Sequence, residues 1–241
     1  MKLLAFETAT EACSVALYLD GEVRERFEIA PRRHAELALP WADALLADAG
    51  LARTELDAIA ISRGPGAFTG VRLAIALAQG IAMALDRPIV PISTLKVVAA
   101  SLVLPYATES VGAKQRILAA IDARMGEVYA GAFMRDGADL VALSEETVSA
   151  PDAVLLPDED GRWHGAGTGF AALDGVLQAR LQPWLASVDS QVLPHASDLA
   201  QLASLAYARG ETVAPERVEP AYLRDNVALT LAEQEALRAS K

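Results

Sequence analysis

Two features of this sequence have residue types and spacing that could do chemistry: a glycine-rich turn able to hold an anion, and a pair of carboxylates at strand ends. The turn is Ser62-Arg63-Gly64-Pro65-Gly66-Ala67-Phe68-Thr69-Gly70-Val71-Arg72. It lies between an apolar strand and a helix, where free backbone N–H groups gather at a positive helix end. It matches neither common phosphate pattern. No Lys-Ser/Thr follows the last glycine, Pro65 removes a donor, and the third glycine comes one residue late for a dinucleotide turn. A plain tight turn explains the segment about as well as anion binding does, with Arg63 and Arg72 tilting towards the anion. Glu7 and Asp122 stand in corresponding hairpins and could face one cleft, holding magnesium or accepting a proton as acids do in two-lobed phosphotransferases. Carboxylates at strand ends also serve simply as turn residues. Glu7, Thr8, Arg63, Gly64, Gly66 and Asp122 are therefore the candidate nucleotide or anion contacts.

No catalytic or metal-binding constellation can be assembled from the rest. His34, His164 and His195 share no short spacing, which argues against a paired-ligand helix. Cys13 falls in a strand with no basic neighbour, as a buried inert thiol would. Ser14, Ser62 and Ser93 lack a nucleophile-elbow context.

The composition narrows the class further. The chain has 241 residues, 53% of them hydrophobic, with 32 acidic against 21 basic side chains and a net charge of −11. Apolar residues spread along the whole length exclude disorder as the main state. No apolar run of about 18 residues is free of polar interruption, so no membrane association is expected. Glu7 interrupts the first apolar stretch too early for an export signal. One cysteine excludes an internal disulfide framework and agrees with a reducing cytosol. The acidic balance argues against nucleic-acid contact by this chain alone, since phosphates are met by clustered Lys and Arg.

The elements that must position these residues follow from periodicity. Residues 3–7, 13–19 and 22–29 read as antiparallel strands with a turn at Asp20-Gly21. Helices follow at 35–49, 70–85 and 94–104, with strands at 56–62 and 88–92 between them; Pro40 implies a late start or a kink in the first helix. The second half repeats the first. Strands at 117–122, 127–133 and 140–145 mirror the opening hairpins, 163–167 mirrors the strand and glycine turn at 59–66, and Val192-Leu193-Pro194 before a helix at 197–208 mirrors Val90-Pro91-Ile92 before 94–104. The expectation is an α/β protein of two lobes facing across a cleft, each with a mixed five-stranded sheet flanked by helices. The boundaries drawn are 1–105, 106–210 and a C-terminal surface piece at 211–241, with a linker near 105–114 and a short helix at 228–239.

Two helices carry more apolar surface than one sheet can cover. In the second, Val71, Ile75, Ala78, Ala82 and Leu85 form one stripe, while Leu73, Leu77, Gly80 and Ala84 form another on the opposite side, with Arg72 and Gln79 as the polar edge. In the first, Leu37, Trp41, Ala44 and Leu45 make one face and Leu39, Ala42 and Leu46 another. A partner protein would cover the surplus, unless the helices cover each other. The candidate interface is Leu37, Trp41, Leu45, Arg72, Leu73, Leu77, Gly80 and Ala84.

The glycine turn, together with Glu7-Thr8-Ala9-Thr10-Glu11-Ala12-Cys13-Ser14-Val15-Ala16, Asp122-Ala123-Arg124-Met125-Gly126-Glu127-Val128-Tyr129 and Glu219-Pro220-Ala221-Tyr222-Leu223-Arg224, resembles the TsaB (YeaZ) family over nearly the whole chain. That resemblance implies the duplicated actin-like, sugar-kinase-like (ASKHA) fold. It implies a non-catalytic role in forming N6-threonylcarbamoyladenosine in tRNAs that read codons beginning with adenine. The partners it implies are the catalytic paralogue TsaD, which carries the metal site, and the ATPase TsaE, with a homodimer when the chain is alone and tRNA met only through the complex. It implies no cofactor in the isolated chain, ATP or ADP being held at the complex interface, and pairing through the first two helices. Glu7 stands where the family commonly has Asp. The competing readings are a small-molecule kinase of the same fold and a metallopeptidase.

Overall fold

The computed structural model describes residues 1–102, 114–159 and 161–224. The expected final helix at 228–239 and nearly all of the expected linker lie outside those residues.

Two sheets of matching topology form the frame. In the first, β1 (Lys2–Glu7) is central: it pairs antiparallel with β2 (Ala12–Leu19) and parallel with β4 (Ala58–Ser62). β3 (Glu22–Ile29) and β5 (Ile89–Ile92) complete the order β3-β2-β1-β4-β5. In the second, β6 (Gln115–Arg124) pairs antiparallel with β7 (Glu127–Asp136) and parallel with β10 (Trp163–Ala166), with β8 (Asp139–Ala142) and β11 (Leu185–Asp189) outside them. The order β11-β10-β6-β7-β8 is the first sheet repeated, and a short extra strand, β9 (Thr147–Ser149), also pairs with β7. The internal repeat expected from the sequence is thus present.

The central strands are apolar throughout because both of their faces are covered. On the outer face of the first sheet, Leu4, Phe6, Val15, Leu17, Ile59 and Ile61 pack under α1 (His34–Asp48) and α2 (Phe68–Leu85). On the outer face of the second, Leu118, Ala130, Ala132 and Trp163 meet Leu177 and Leu181 of the short α4 (Val176–Leu181). Between the sheets lie α3 (Thr94–Ser101) and α5 (Ala196–Ala208), whose Leu95, Val98, Leu199 and Ala203 share one core with Leu3, Ala60, Ile117 and Ala119. The two helices are exchanged. α3, from the first half, lies on β6 and β7, while α5, from the second half, lies across the first sheet from β3 to β5.

Several elements differ from the sequence expectation. α1 begins at His34 and runs through Pro40, whose missing N–H falls in the seventh position of a helix otherwise well packed on β2. α3 stops at Ser101. The last strand of the second sheet is Leu185–Asp189 rather than the Val192-Leu193-Pro194 segment. Its one-residue irregularity opposite Trp163/His164 and its polar Ser187 and Asp189 break the apolar run by which a buried parallel strand is recognised.

Candidate functional site

The turn after β1 and the glycine turn after β4 are packed directly on one another. Thr8 Oγ1 donates to the Gly70 carbonyl at 2.7 Å, and the Ala67 N–H donates to the Ala9 carbonyl at 2.7 Å. A Cβ on Gly66 would stand 2.4 Å from the Ala9 carbonyl oxygen, and one on Gly70 1.9 Å from that of Thr8. These glycines are therefore required by the close approach of two backbones. The side of the turn that carries Gly66 and Gly70 is covered by the chain's own Thr8–Ala9 segment. Gly64 is also buried, and its Cβ position lies 3.3 Å from the Ala221 carbonyl; Arg63 is exposed.

Glu7 and Thr8 are completely buried. Glu7 Oε1 accepts the Ala9 N–H at 2.7 Å, and Asp122 Oδ1 accepts the Arg124 N–H at 2.8 Å. Each carboxylate thus fixes the backbone two residues ahead, the same turn function in both halves. Asp122 is further paired with the Arg124 guanidinium at 2.8 Å. Burial, only partly offset by the Ser62 hydroxyl and the Ala9 N–H, pushes Glu7 up to about 7. Its Oε2 and the Ser62 hydroxyl are buried without a hydrogen-bond partner at ordinary distance.

The other titratable groups serve structure. Burial pushes the Cys13 thiol up to about 11, consistent with an inert core residue. His34 Nε2 lies 3.0 and 3.1 Å from the carbonyls of Thr10 and Ala12, and His164 Nδ1 is 2.8 Å from the Ser187 hydroxyl. His195 pairs with Glu25 at 3.1 Å and stacks on Phe27 with ring centroids 4.2 Å apart. The Glu25 hydrogen bond raises the His195 pKa. Burial opposes the charge on Glu25, yet His195, the Ser14 hydroxyl and the Ser197 N–H together hold it down at about 2. Ser14 accepts the Ala196 N–H while Glu25 accepts that of Ser197, so β2 and β3 cap the start of α5. Among the described residues, no three His, Cys, Asp or Glu side chains gather so that they could hold a metal ion.

What remains without an internal explanation is the outer side of α2. Its inner stripe, Val71, Ala74, Ile75, Ala78 and Ala82, is buried on the sheet. Outward lie Thr69, Arg72, Ala76, Gly80 and Ala84, all exposed, with Leu73 half-buried and Leu77 half-buried against the outer core. Phe68 is 62% exposed and Met83 66%. These two were missed by the sequence reading, which began the helix at Gly70 and left Met83 on neither stripe; their four-residue offsets from Arg72 and Gln79 were the available signal. Interrupted only by Thr69, Arg72 and Gln79, α2 has the length and apolarity of a membrane span, 18 residues at a mean hydropathy of 1.6, yet only 33% of it is buried. A Cβ on Gly80 would meet nothing within 4 Å, so neither packing nor backbone angle calls for glycine there.

α1 is less exposed in its apolar residues than its sequence implies. Ala38, Ala42, Leu45 and Leu46 all face the sheet, Leu45 being only 4% exposed. Leu37 and Trp41 are half-buried, and the outward side carries Glu36, Asp43 and Asp48, the last two paired with Arg53 and Arg26. α1 lies on β2 and β3 and α2 on β4, and Leu37 and Trp41 of α1 join the same apolar cluster as Leu77 and Ile81 of α2, so the helices cover each other in part along their facing flanks.

The remaining chain runs beside α2 as a belt. Val213 exchanges both backbone hydrogen bonds with Ile89, Gln79 Nε2 donates to the Pro215 carbonyl at 2.8 Å, and Val218 enters the outer core. The Ala221 N–H then donates to the Arg63 carbonyl, Arg72 reaches the Tyr222 hydroxyl, and Arg224 donates to the Ala123 and Arg124 carbonyls and to Glu127 in the β6–β7 turn.

Two like sheets, each a central antiparallel hairpin extended by parallel strands, with helices between and outside them, define a protein of the two-lobed actin-like class. A family model described as TsaD, tRNA N6-adenosine threonylcarbamoyltransferase, matches residues 27–231. The tRNA threonylcarbamoyladenosine biosynthesis protein TsaB of Escherichia coli is 42% identical over 95% of this chain and 96% of its own, and that of Haemophilus influenzae 36% over 94% and 95%. A solved structure of YeaZ from Pseudomonas aeruginosa superposes with a TM-score of 0.80 at 42% identity, covering 92% of this chain and 99% of that one. The chain belongs to the TsaB (YeaZ) family, whose role is in tRNA threonylcarbamoyladenosine biosynthesis.

Proposed function

We propose that this chain is a non-catalytic pairing subunit for the formation of N6-threonylcarbamoyladenosine in tRNAs reading codons that begin with adenine. It acts by docking the catalytic paralogue TsaD on the outer side of α2, with the ATPase TsaE joining the pair and tRNA met only through the complex. The observation that carries the reading is the 18-residue apolar helix whose outward side, Phe68, Thr69, Arg72, Ala76, Gly80, Met83 and Ala84, is exposed, with a glycine at its centre that the chain itself does not need. Small residues on an outward face let another backbone approach closely, and a desolvated apolar patch of this kind is typical of an interface core. The match of the transferase model to residues 27–231 supports a partner with the same lobe architecture. Glu7 and Asp122, each engaged in its own turn, support a chain that is not itself the catalyst, and in this reading ATP or ADP is held at the joint with the partner.

Leu77→Asp or Gly80→Arg should abolish co-purification with TsaD, and in Gly80→Arg circular dichroism and thermal melting should stay near wild type. Gly80 lies at the surface of the free chain, where a charge stays hydrated, whereas in an apolar interface it costs several kcal/mol; Leu77 is half-buried against the outer core, so Leu77→Asp should also lower the melting temperature. Undiminished co-purification of both variants would refute the proposal.

A further inference from the structure

We propose that the partner-covered face continues beyond α2 onto the C-terminal belt, and that its centre there is the Phe68–Arg72–Tyr222 stack, which receives a carboxylate from the partner. This rests on the reading of α2 as the docking helix. The Arg72 guanidinium lies 3.3 Å above the Phe68 ring and 5.4 Å from the centre of the Tyr222 ring, so that an exposed cation is held beside two aromatic rings. Phe68 is 62% and Tyr222 53% exposed. One guanidinium nitrogen is taken by the Tyr222 hydroxyl. Among the described residues, no carboxylate pairs with Arg72.

The arrangement has a purpose that holding the belt does not explain. The Val213–Ile89 pairing, the Gln79–Pro215 bond, buried Val218 and the Ala221–Arg63 bond already fix the belt along its length. A large aromatic left more than half exposed beside a pre-oriented arginine is the composition that dominates interface energies, because stacking immobilises the guanidinium before the partner arrives. Its planar fork fits a carboxylate in two-point fashion. A nucleic-acid partner is disfavoured because the chain as a whole carries a net charge of −11, whereas one carboxylate embedded in an apolar protein surface meets only the local cation. The stack also lies on the flank of α2 that bears Gln79 and Met83, so that α2 and the belt present one continuous surface.

The test is the affinity of the full chain for TsaD as a function of sodium chloride, for wild type, Arg72→Gln, Phe68→Ala, Tyr222→Ala and Gly80→Arg. Arg72→Gln and Tyr222→Ala should each weaken pairing tenfold or more, with Phe68→Ala similar, while melting temperatures remain close to wild type. The salt dependence of the wild-type affinity should flatten in Arg72→Gln, a change that loss of a purely structural contact would not produce. Wild-type affinity in Arg72→Gln, or weakened affinity with unchanged salt dependence, would overturn the proposal. Loss confined to self-association, with TsaD binding intact, would assign the stack to a second copy and also overturn it. If Gly80→Arg abolishes pairing while the stack variants bind normally, only this inference fails; if Gly80→Arg binds normally, the docking role of α2 fails as well.

Discussion

Glu7 is the residue whose surroundings work hardest against its charge. It is wholly buried, one of its oxygens lacks a partner, and its pKa of about 7 exceeds the ordinary carboxylate value of 4.5. A carboxyl raised on folding binds its proton more tightly in the folded state, so its contribution to stability falls as pH rises from about 4.5 to about 7. The full span corresponds to about 3 kcal/mol. Glu7→Gln, which is neutral at every pH, should therefore melt at nearly the same temperature as wild type at pH 5 and clearly higher at pH 8; parallel melting curves across that range would show that Glu7 stays ionised in the fold. Glu25 behaves oppositely: lowered to about 2, it contributes stability above about 4.5 that disappears as pH falls towards 2. The raised His195 adds stability that is present below its ordinary value of 6.5 and lost as pH rises through its folded value. The equivalence of Glu7 and Asp122 was legible in the sequence, because it follows from the repeat. The burial of Glu7 was not, because it depends on the Gly66–Gly70 turn, which lies some 60 positions further along the chain.

Glycines in and around α2 separate the two demands on that element. Gly66→Ala and Gly70→Ala force a Cβ to within 2.4 and 1.9 Å of backbone oxygen that no side-chain rotation relieves. Each should destabilise the chain by roughly 3 kcal/mol or more, or prevent folding, as strained core substitutions do. Gly80→Ala meets open space and should stabilise the isolated chain by up to about 1 kcal/mol, the difference in helix propensity. Urea titration of the three variants checks both signs. The two stripes of α2 were visible because period 3.6 is the only order in an apolar run of that length. α1 was misread in part: Ala42 and Leu46 face the sheet with Leu45, since the helix starts at His34 and its inward arc is wide enough to take in all three. β11 was missed because its only signal was the place the repeat reserved for it.

At the scale of the whole molecule, the exchange of α3 and α5 ties the lobes into one unit. Leu3, Ala5, Ala16, Ala58, Ala60 and Val90 of the first sheet are covered by a helix that begins only at Ala196. A fragment of residues 1–105 should thus fail to give a cooperative melt on its own and regain one only when the remainder is supplied; an independently folded fragment would contradict this. The repeat itself could be read from hairpins and glycines, but not which sheet each internal helix joins, because α3 and α5 are alike in apolarity and nothing local distinguishes their destinations. The consequence reaches back to synthesis. After residue 105 leaves the ribosome, about 100 more residues must follow before α5 is available, which at 5–20 residues per second is on the order of 5–20 s. Throughout that interval the nascent sheet has one greasy side bare, so the newborn polypeptide is most at risk of sticking to its neighbours before its last third has been translated.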